Sequence, residues 1–145
     1  MSQRLQIEQG LYKAMMGLEG YLSESTVSKS LIELIKMRSS QINGCAFCMD
    51  MHAKDALKGG ESSQRLYVLS AWRETAFFTD EEKAVLALTE AATHMNDHEK
   101  LDKAFEEASL YFDSKQLNDI LAAIVTINGW NRIAITAKMP IEKQS

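Results

Sequence analysis

The sequence predicts an all-helical protein, and three observations support that fold class. Its 145 residues include only seven glycines and one proline, so the strand and turn signals of a β protein are scarce. Apolar residues recur every three or four positions along much of the chain, which is the period of one helix face. Residues that cap helices stand before several of these segments. We therefore predict a bundle of about six to seven helices.

The first two helices are predicted from an apolar stripe and a glycine. Residues 8–22 place apolar side chains at spacings of four, three and four, so that they share one face of the first helix. These side chains are Leu11, Met15, Leu18 and Leu22. The second helix, capped by Ser25 or Thr26, is expected to end at Gly44, because glycine readily adopts the left-handed conformation that terminates a helix.

The middle of the chain predicts three further helices. The third is expected to begin at or next to Cys45 and to run to the glycine pair at residues 59–60. The fourth covers residues 61–72. Thr79 and Glu82 have the Thr-x-x-Glu pattern of a capping box, in which each side chain bonds the backbone N–H of the other residue. That pattern predicts the start of the fifth helix.

The C-terminal third predicts the last two helices. Residues 101–112 form the sixth, and Asp113 or Ser114 caps a seventh that extends through Ala137 and stops before Pro140. The apolar residues of the seventh surround its axis instead of forming one stripe. We expect this helix to be buried on most sides, either at the centre of the fold or in an oligomer interface.

Length and composition predict one domain over residues 1–145. Apolar residues make up 46% of the chain, and we find no repeat, linker or low-complexity tract. The formal net charge is −4 and the basic residues are scattered, which disfavours nucleic acid as a partner. The N-terminus lacks the apolar core of a signal peptide, and no apolar run approaches the ~20 residues of a membrane span. We therefore expect a cytoplasmic protein that contacts no membrane.

Both cysteines lie in one short segment, Cys45-Ala-Phe-Cys48, which His52 follows. In a helix these positions are spaced i, i+3 and i+7, so the three side chains share one face. The unpaired N–H groups of a first helical turn favour a thiolate over a thiol. The two cysteines are close enough to cycle between dithiol and disulfide. In a reducing compartment such a pair is more often catalytic or metal-binding than a permanent cross-link.

A proton relay is predicted beside the cysteines. His52, one turn beyond Cys48, can accept a thiol proton, because imidazole exchanges protons near neutral pH. Glu33 lies eleven residues before Gly44 and His52 eight residues after it, so two antiparallel helices would bring them roughly level. A carboxylate there, directly or through water, would orient the imidazole ring and stabilise its charged form.

Three other interpretations compete with a redox centre. A structural zinc site usually has four ligands, whereas the cysteine pair and His52 supply three. The pair could also be inert and packed in the core. Finally, Glu90, His94 and His98 could hold a metal ion on one helix face, although a break at residues 96–97 is expected to end that helix before His98.

The spacing Glu33-x11-Cys45-x-x-Cys48-x3-His52 resembles the core motif of the alkylhydroperoxidase D branch of the carboxymuconolactone decarboxylase-like family. The flanking segment RSSQINGCAFCMDMHAKDA is similar to that of the single-motif members. Further similarity lies in LYKAMMGLEGYL, in RLYVLSAWRETAFFTDEEKAVLALTEA and in INGWNRIAI. The resemblance thus covers nearly the whole chain.

This resemblance implies an all-helical subunit that assembles into homo-trimers or homo-hexamers and acts as a peroxidase. In the family, a thiolate of the pair attacks a peroxide oxygen, the sulfenic acid condenses with the partner cysteine, and an external dithiol reduces the disulfide. Carried to this chain, Cys45 and Cys48 are the redox pair and His52 with Glu33 is the relay, with no bound cofactor or metal. The reductant would be a dithiol such as dihydrolipoamide or a thioredoxin-like protein, and a peroxiredoxin is a further candidate partner.

Two points stay open under this resemblance. The helix end favours Cys45 as the first to react, whereas adjacency to His52 favours Cys48. We expect Cys48 to be deprotonated through His52 and Cys45 to be the more exposed partner for disulfide exchange.

Four aromatic residues are candidates for an apolar substrate pocket, although packing in the core or an interface explains them as well. They are Tyr12, Trp72, Phe77 and Phe78.

A non-enzymatic class also competes with the peroxidase. The cysteine pair could respond to oxidant without turnover, as in a redox-sensing or scaffold protein, or could bind a metal ion together with His52. The lactone chemistry of the decarboxylase branch is disfavoured, because that branch lacks the cysteine pair.

Overall fold

The structure, a computed structural model, describes residues 2–144, which form seven α-helices, one 3-10 helix and no β-strand. The α-helices are α1 (Gln9–Ser23), α2 (Lys29–Asn43), α3 (Ala46–Lys58), α4 (Ser63–Tyr67), α5 (Asp80–His94), α6 (His98–Ser109) and α7 (Ser114–Ala137). The 3-10 helix, Leu69–Glu74, follows α4. The predicted all-helical fold class is confirmed.

Helices α2 and α7 form the centre of the bundle. Helix α2 packs against α3, α5 and α7, and α7 also packs against α1 and α6. Leu34 and Ile35 of α2 are fully buried, as are Ile120 and Ile127 of α7 and Val85 of α5. Burial of each such side chain contributes about 1.5–3 kcal/mol to folding. The cysteine segment therefore follows directly on a helix that is buried at the centre of the fold.

The predicted apolar stripe of α1 is correct only for its C-terminal part. Met15 and Leu22 are buried, Leu18 is half-buried, and Leu11 is exposed. Helix α1 packs mainly against α7, where a Cβ on Gly129 would lie 2.9 Å from the Cε of Met15. The absence of a side chain at Gly129 thus makes room for Met15, whereas Leu11 lies beyond this contact.

The predicted cap of α2 is wrong by two or three residues. The N-cap is Ser28, whose side chain accepts a hydrogen bond from the backbone N–H of Leu31. Ser25 instead accepts a hydrogen bond from the N–H of Val27. Thr26 donates to Asp119 through both its backbone N–H and its hydroxyl. Because these two side chains already have partners before the helix, neither can cap it.

Asp119 is a fully buried carboxylate that joins α7 to the segment between α1 and α2. Its oxygens accept hydrogen bonds from the Tyr21 hydroxyl at 2.7 Å, from the Thr26 N–H and hydroxyl at 2.8 and 2.7 Å, and from Lys115 Nζ at 2.8 Å. Burial raises the pKa of the Asp119 carboxyl, but the hydrogen bonds from Lys115, Thr26 and Tyr21 outweigh it and hold that pKa well below its usual range.

Replacing Asp119 with asparagine is expected to lower the free energy of unfolding at pH 7 by about 2–3 kcal/mol, because hydrogen bonds to a charged group are lost. A carboxyl whose pKa is depressed by folding stabilises the protein above its unfolded pKa, and that contribution disappears as the pH falls through the folded pKa. The difference between wild type and D119N should therefore shrink below about pH 4. Urea unfolding across this range measures it, and E24Q, at an exposed position after α1, is the control. Equal losses in D119N and E24Q would contradict the prediction.

The fourth and sixth helices differ from their predicted bounds. The predicted helix over residues 61–72 divides into α4 and the 3-10 helix, with a non-helical backbone at Ala71. Because side chains at i and i+3 eclipse in a 3-10 helix, Leu69 and Trp72 both face the core there. Helix α6 begins three residues before the predicted Leu101, because the side chain of Asp97 accepts a hydrogen bond from the N–H of Lys100.

The remaining helix ends agree with the sequence. Thr79 with Glu82 and Asp113 with Gln116 both form capping boxes, at the start of α5 and α7.

Helix α7 is long and apolar enough to cross a membrane by length and composition, and 44% of its most apolar window is buried in this subunit. Its other face carries exposed apolar side chains, with Leu121 at 53% and Val125 at 50% of their full accessible surface. Helix α7 thus lies at the centre of the fold, as predicted, and burial of its exposed face in an oligomer interface stays a prediction.

Candidate redox site

The cysteines occupy a tight turn between α2 and α3. Gly44 ends α2 in the left-handed conformation, with φ of 71°, and the N–H of Cys45 bonds the carbonyl of Ser40 at 3.0 Å. Cys45 is at once the N-cap of α3, where its Sγ accepts a hydrogen bond from the N–H of Cys48 at 3.3 Å. The predicted start of the third helix is confirmed. The turn places both sulfur atoms at the positive end of α3.

Cys45 and Cys48 are joined by a disulfide, with their Cα atoms 5.3 Å apart. Each cysteine retains only 1% of its accessible surface. The prediction that Cys45 is the more exposed partner is therefore wrong, because both cysteines pack into one apolar cluster with Ile127 and Ala134. What distinguishes the two cysteines is the cleft that each of them lines.

His52 and Glu33 form a buried pair across α3 and α2. The Nδ1 atom of His52 lies 3.0 Å from the Oε2 atom of Glu33, so the contact is direct and needs no bridging water. A carboxylate can only accept, so Nδ1 donates, and the neutral ring then carries its lone pair on Nε2. Among residues 2–144, Nε2 is a buried nitrogen with no hydrogen-bond partner. The pair can thus take up a proton at Nε2.

Cys48, His52 and Glu33 line one cleft of about 480 Å³, which we call the His52 cleft. Its walls are largely apolar, and they are formed by Tyr12, Met16, Phe47, Met51, Trp130, Ala134 and Met139. The rings of Tyr12 and Trp130 meet edge to face, with their centroids 5.7 Å apart. The cleft combines an apolar lining with a sulfur and a proton acceptor.

A buried ion pair lies in the polar part of the same cleft. Lys36 Nζ donates to both carboxylate oxygens of Glu19, at 2.9 and 3.0 Å, and Trp130 Nε1 donates to Glu19 at 3.1 Å. Lys36 follows Glu33 by one helical turn, so both side chains reach the cleft from α2. This network fixes the position of Trp130, which also lines the cleft.

Amide side chains anchor the end of α2 to α7. Asn43 Nδ2 donates to Asn128 Oδ1 at 2.8 Å and to Asn131 Oδ1 at 2.9 Å, and Asn131 Nδ2 donates to Ser40 Oγ at 3.1 Å. Asn131 is fully buried, so its loss would leave polar groups of α2 without partners. These bonds hold the residues immediately before the cysteine turn.

Sequence reasoning identified few of the residues that line the His52 cleft. Of the four aromatic candidates, Tyr12 lines it, whereas Trp72 and Phe78 are buried elsewhere and Phe77 is exposed. The missed residues include Phe47, Trp130 and Lys36. Phe47 stands between the two cysteines and Lys36 stands three positions after Glu33, so both spacings are signals that could have found them.

At both candidate metal sites the side chains are arranged differently from what the sequence suggests. A disulfide sulfur lacks the charge of the thiolate that binds zinc, so the oxidised pair does not offer that ligand set. Glu90 already accepts hydrogen bonds from Arg73, Arg38 and Trp72. Burial raises the pKa of the Glu90 carboxyl, but these donors outweigh it and lower that pKa below its usual range. His94 and His98 lie in different helices and are exposed.

A different set of potential ligand atoms is close together beside the relay. One atom each of Glu33, His52 and Asp55 lie within 4.8 Å of one another, with Asp55 exposed. The hydrogen bond between Glu33 and His52 accounts for one of these contacts, at 3.0 Å.

The helical fold and the cysteine site together define the class of this protein: an all-helical subunit that holds a Cys-x-x-Cys pair at the start of a helix. Residues 9–91, more than half of the chain, match the carboxymuconolactone decarboxylase family. The chain therefore belongs to that family, which confirms the resemblance seen in the sequence.

Several relatives are similar over most of their length. The uncharacterised protein YdfG of Bacillus subtilis is 45% identical over 123 residues, which are 85% of this chain and 84% of YdfG. A crystal structure of a protein of unknown function from Agrobacterium tumefaciens, suggested to be the antioxidant defence protein AhpD, has a TM-score of 0.93 and 36% identity, and covers 99% of this chain and 100% of that one. The debrominase Bmp8 shares the fold at 21% identity, with a TM-score of 0.78 over 90% of this chain and 70% of its own.

Proposed function

We propose that this protein is a cytoplasmic thiol-dependent peroxidase, which reduces hydrogen peroxide or organic hydroperoxides by cycling Cys45 and Cys48 between dithiol and disulfide. One observation carries the proposal: Cys48 lines the same cleft as His52, whose Nδ1 is held by Glu33 while its buried Nε2 has no partner among residues 2–144. A disulfide has no proton to donate, so an unpartnered Nε2 suits the oxidised state of such a cycle.

The proposed oxidative step follows from the residues in the His52 cleft. The Cys48 thiol gives its proton to His52 Nε2, and the thiolate attacks the nearer peroxide oxygen. The O–O bond breaks, the alcohol or water leaves with the proton returned by His52, and Cys48 becomes a sulfenic acid. Cys45 then attacks the Cys48 sulfur, which releases water and forms the disulfide. Glu33 keeps the ring oriented and stabilises its charged form.

An external dithiol completes the proposed cycle, with no bound cofactor. Two electrons and two protons from a reductant such as dihydrolipoamide or a thioredoxin-like protein would restore both thiols. A peroxiredoxin that draws electrons from this disulfide centre is a further candidate partner. The apolar walls of the His52 cleft support organic hydroperoxides as substrates.

The direct test is consumption of cumene hydroperoxide by protein freed of metal with a chelator, with dihydrolipoamide as the reductant. Turnover that continues through many equivalents of peroxide per subunit supports the peroxidase. One equivalent consumed per subunit, followed by no turnover with dihydrolipoamide, thioredoxin or glutathione, would favour the redox-sensing class instead. Loss of activity on chelation and its recovery with added zinc would favour a metal role.

A homo-oligomer, a trimer or a hexamer, is also part of the proposal. Helices α5, α6 and α7 line an apolar groove of about 850 Å³, and several large apolar side chains there are exposed, which is uncommon on a monomer. They include Met95, Phe105 and Leu121.

Placing a charge in that groove should break the assembly. L121E is expected to elute as a smaller species than wild type, because a buried unpaired carboxylate in an apolar interface costs several kcal/mol. Light scattering coupled to gel filtration measures the mass. L110E, at an exposed leucine outside the groove, is the matched control. A monomeric wild type, or the same mass for L121E and wild type, would contradict the prediction.

A further inference from the structure

A second cleft reaches the disulfide from the Cys45 side. It has a volume of about 440 Å³, and we call it the Cys45 cleft. Phe47, Ala134 and Met139 line both this cleft and the His52 cleft, so they form the wall between the two. Cys48, His52 and Glu33 do not line the Cys45 cleft, and Cys45 does not line the other. Each sulfur of the disulfide thus has its own approach.

The two clefts differ in charge. The Cys45 cleft is lined by Arg4 and Lys138 and by no acidic side chain. Within residues 2–144 neither cation forms a salt bridge, and the backbone N–H of Arg4 is held by the carbonyl of Ala137 at 2.8 Å. The His52 cleft instead contains three carboxylates, those of Glu19, Glu33 and Asp55, against one lysine.

We infer that the Cys45 cleft is the docking site of the reductant, and that it favours a small dithiol carrying a carboxylate. The inference rests on the proposed function for its reductive half only. A carboxylate beside Arg4 and Lys138 would gain an attraction that a neutral dithiol lacks, while the remaining lining, which includes Met139 and Ile141, suits an alkyl chain.

The reduction balances with Cys45 as the sulfur attacked. One thiolate of the reductant attacks Cys45 Sγ, which forms a mixed disulfide and releases Cys48 as a thiolate. The proton that the attacking thiol lost is taken up through solvent by Nε2 of His52, which passes it to Cys48 on the other side of the wall. The second thiol of the reductant, after losing its proton to solvent, attacks its own sulfur in the mixed disulfide. This releases Cys45 as a thiolate, which takes a proton from water, and the reductant leaves as a cyclic disulfide.

This arrangement has the leaving sulfur beside the proton source. Cys48 is the better leaving group of the two, because its developing charge faces His52. Reduction through the Cys45 cleft also keeps the reductant out of the His52 cleft, which receives the hydroperoxide. Saturating reductant should therefore not compete with the peroxide.

The test compares two reductants that differ only at a group remote from their thiols. Dihydrolipoate carries a carboxylate, and dihydrolipoamide a neutral amide. We measure the rate at which each reduces the disulfide of the oxidised protein, without peroxide, and normalise it to reduction of the neutral 2-hydroxyethyl disulfide. In wild type at low ionic strength the normalised rate for dihydrolipoate should be about threefold higher or more, and the advantage should fade at high salt.

Substitutions of Arg4 and Lys138 test whether the Cys45 cleft causes that preference. R4Q/K138Q should reduce the ratio to about one, and the charge-retaining R4K/K138R should restore it. K103Q, which removes an exposed lysine of α6, is the matched control and should keep the wild-type ratio. No preference in wild type, or a preference that survives R4Q/K138Q, would overturn the inference.

A separate measurement keeps this inference distinct from the peroxidase. Protein reduced beforehand and freed of reductant is mixed with cumene hydroperoxide, and disulfide formation is followed in a single turnover. Failure there would refute the peroxidase whatever the reductants do. A normal single turnover without any preference between the reductants would refute only the docking site.

Discussion

Replacing Cys48 with serine is expected to abolish hydroperoxide turnover, with a loss of about 10³-fold or more, because a hydroxyl cannot supply the thiolate nucleophile. Cys48 lines the cleft that also contains His52 and Glu33, so its proton has an acceptor close by. In C48S the remaining Cys45 lies on the other side of the wall, away from His52. Peroxide consumption measured with dihydrolipoamide gives the loss.

The converse substitution separates the roles of the two cysteines. C45S should also fail to turn over, but it should consume one equivalent of peroxide per subunit and then stop, because Cys48 sulfenic acid has no partner to condense with. Dimedone should label C45S after peroxide treatment and leave C48S unlabelled. Labelling of C48S with loss of labelling in C45S would make Cys45 the attacking residue and contradict the assignment.

Removal of His52 should produce the second large loss. H52Q keeps a polar side chain of similar length but cannot accept a thiol proton, so peroxide consumption near pH 7 should fall by about 10² to 10⁴-fold. The loss should be smaller at pH 9, where solvent hydroxide generates more of the thiolate. The matching measurement is the pH profile of single-turnover disulfide formation in reduced wild type and H52Q. If the rate of H52Q is lower than that of wild type by the same factor at every pH, His52 supports only the structure.

Glu33 acts through His52, so its loss should cost less. In E33Q the amide oxygen can still accept from Nδ1, but it no longer stabilises the charged ring, and the rate should fall by about 10 to 100-fold. D55N is the matched control, since Asp55 lies beside the same two residues but is exposed and forms no hydrogen bond to His52. Equal effects of E33Q and D55N would mean that the overall negative charge matters instead of the positioning of the ring.

Much of the fold could be predicted because the signals are local. The capping boxes at Thr79 and Asp113 and the left-handed Gly44 each depend on a few neighbouring residues, and the structure has all three. The errors arose where a distant partner decides the outcome. Ser25 and Thr26 look like caps until Asp119, about ninety residues later, engages Thr26. The exposure of Leu121 likewise depends on what the rest of the bundle leaves uncovered.

The candidate site divides in the same way. The spacing from Glu33 to His52 predicts which side chains meet, because one tight turn between two antiparallel helices fixes their levels. It cannot predict that the cysteines are equally buried or that a wall separates their approaches, because Ala134 and Met139 reach that wall from the far end of the chain.

The hydrogen bonds between the side chains of Asn43, Asn131 and Ser40 limit how far a change in the oxidation state of the cysteines can alter the structure around them. They attach the residues just before Cys45 to the buried face of α7. The turn between α2 and α3 could not unwind from the α2 side without breaking them. We therefore expect that making or breaking the disulfide moves the two sulfur atoms and leaves the surrounding helices in place. Amide hydrogen exchange in α2 should accordingly be the same in both oxidation states. A signalling protein needs the opposite behaviour, a chemical event that remodels a surface, so this anchoring favours repeated turnover over the relay of a message.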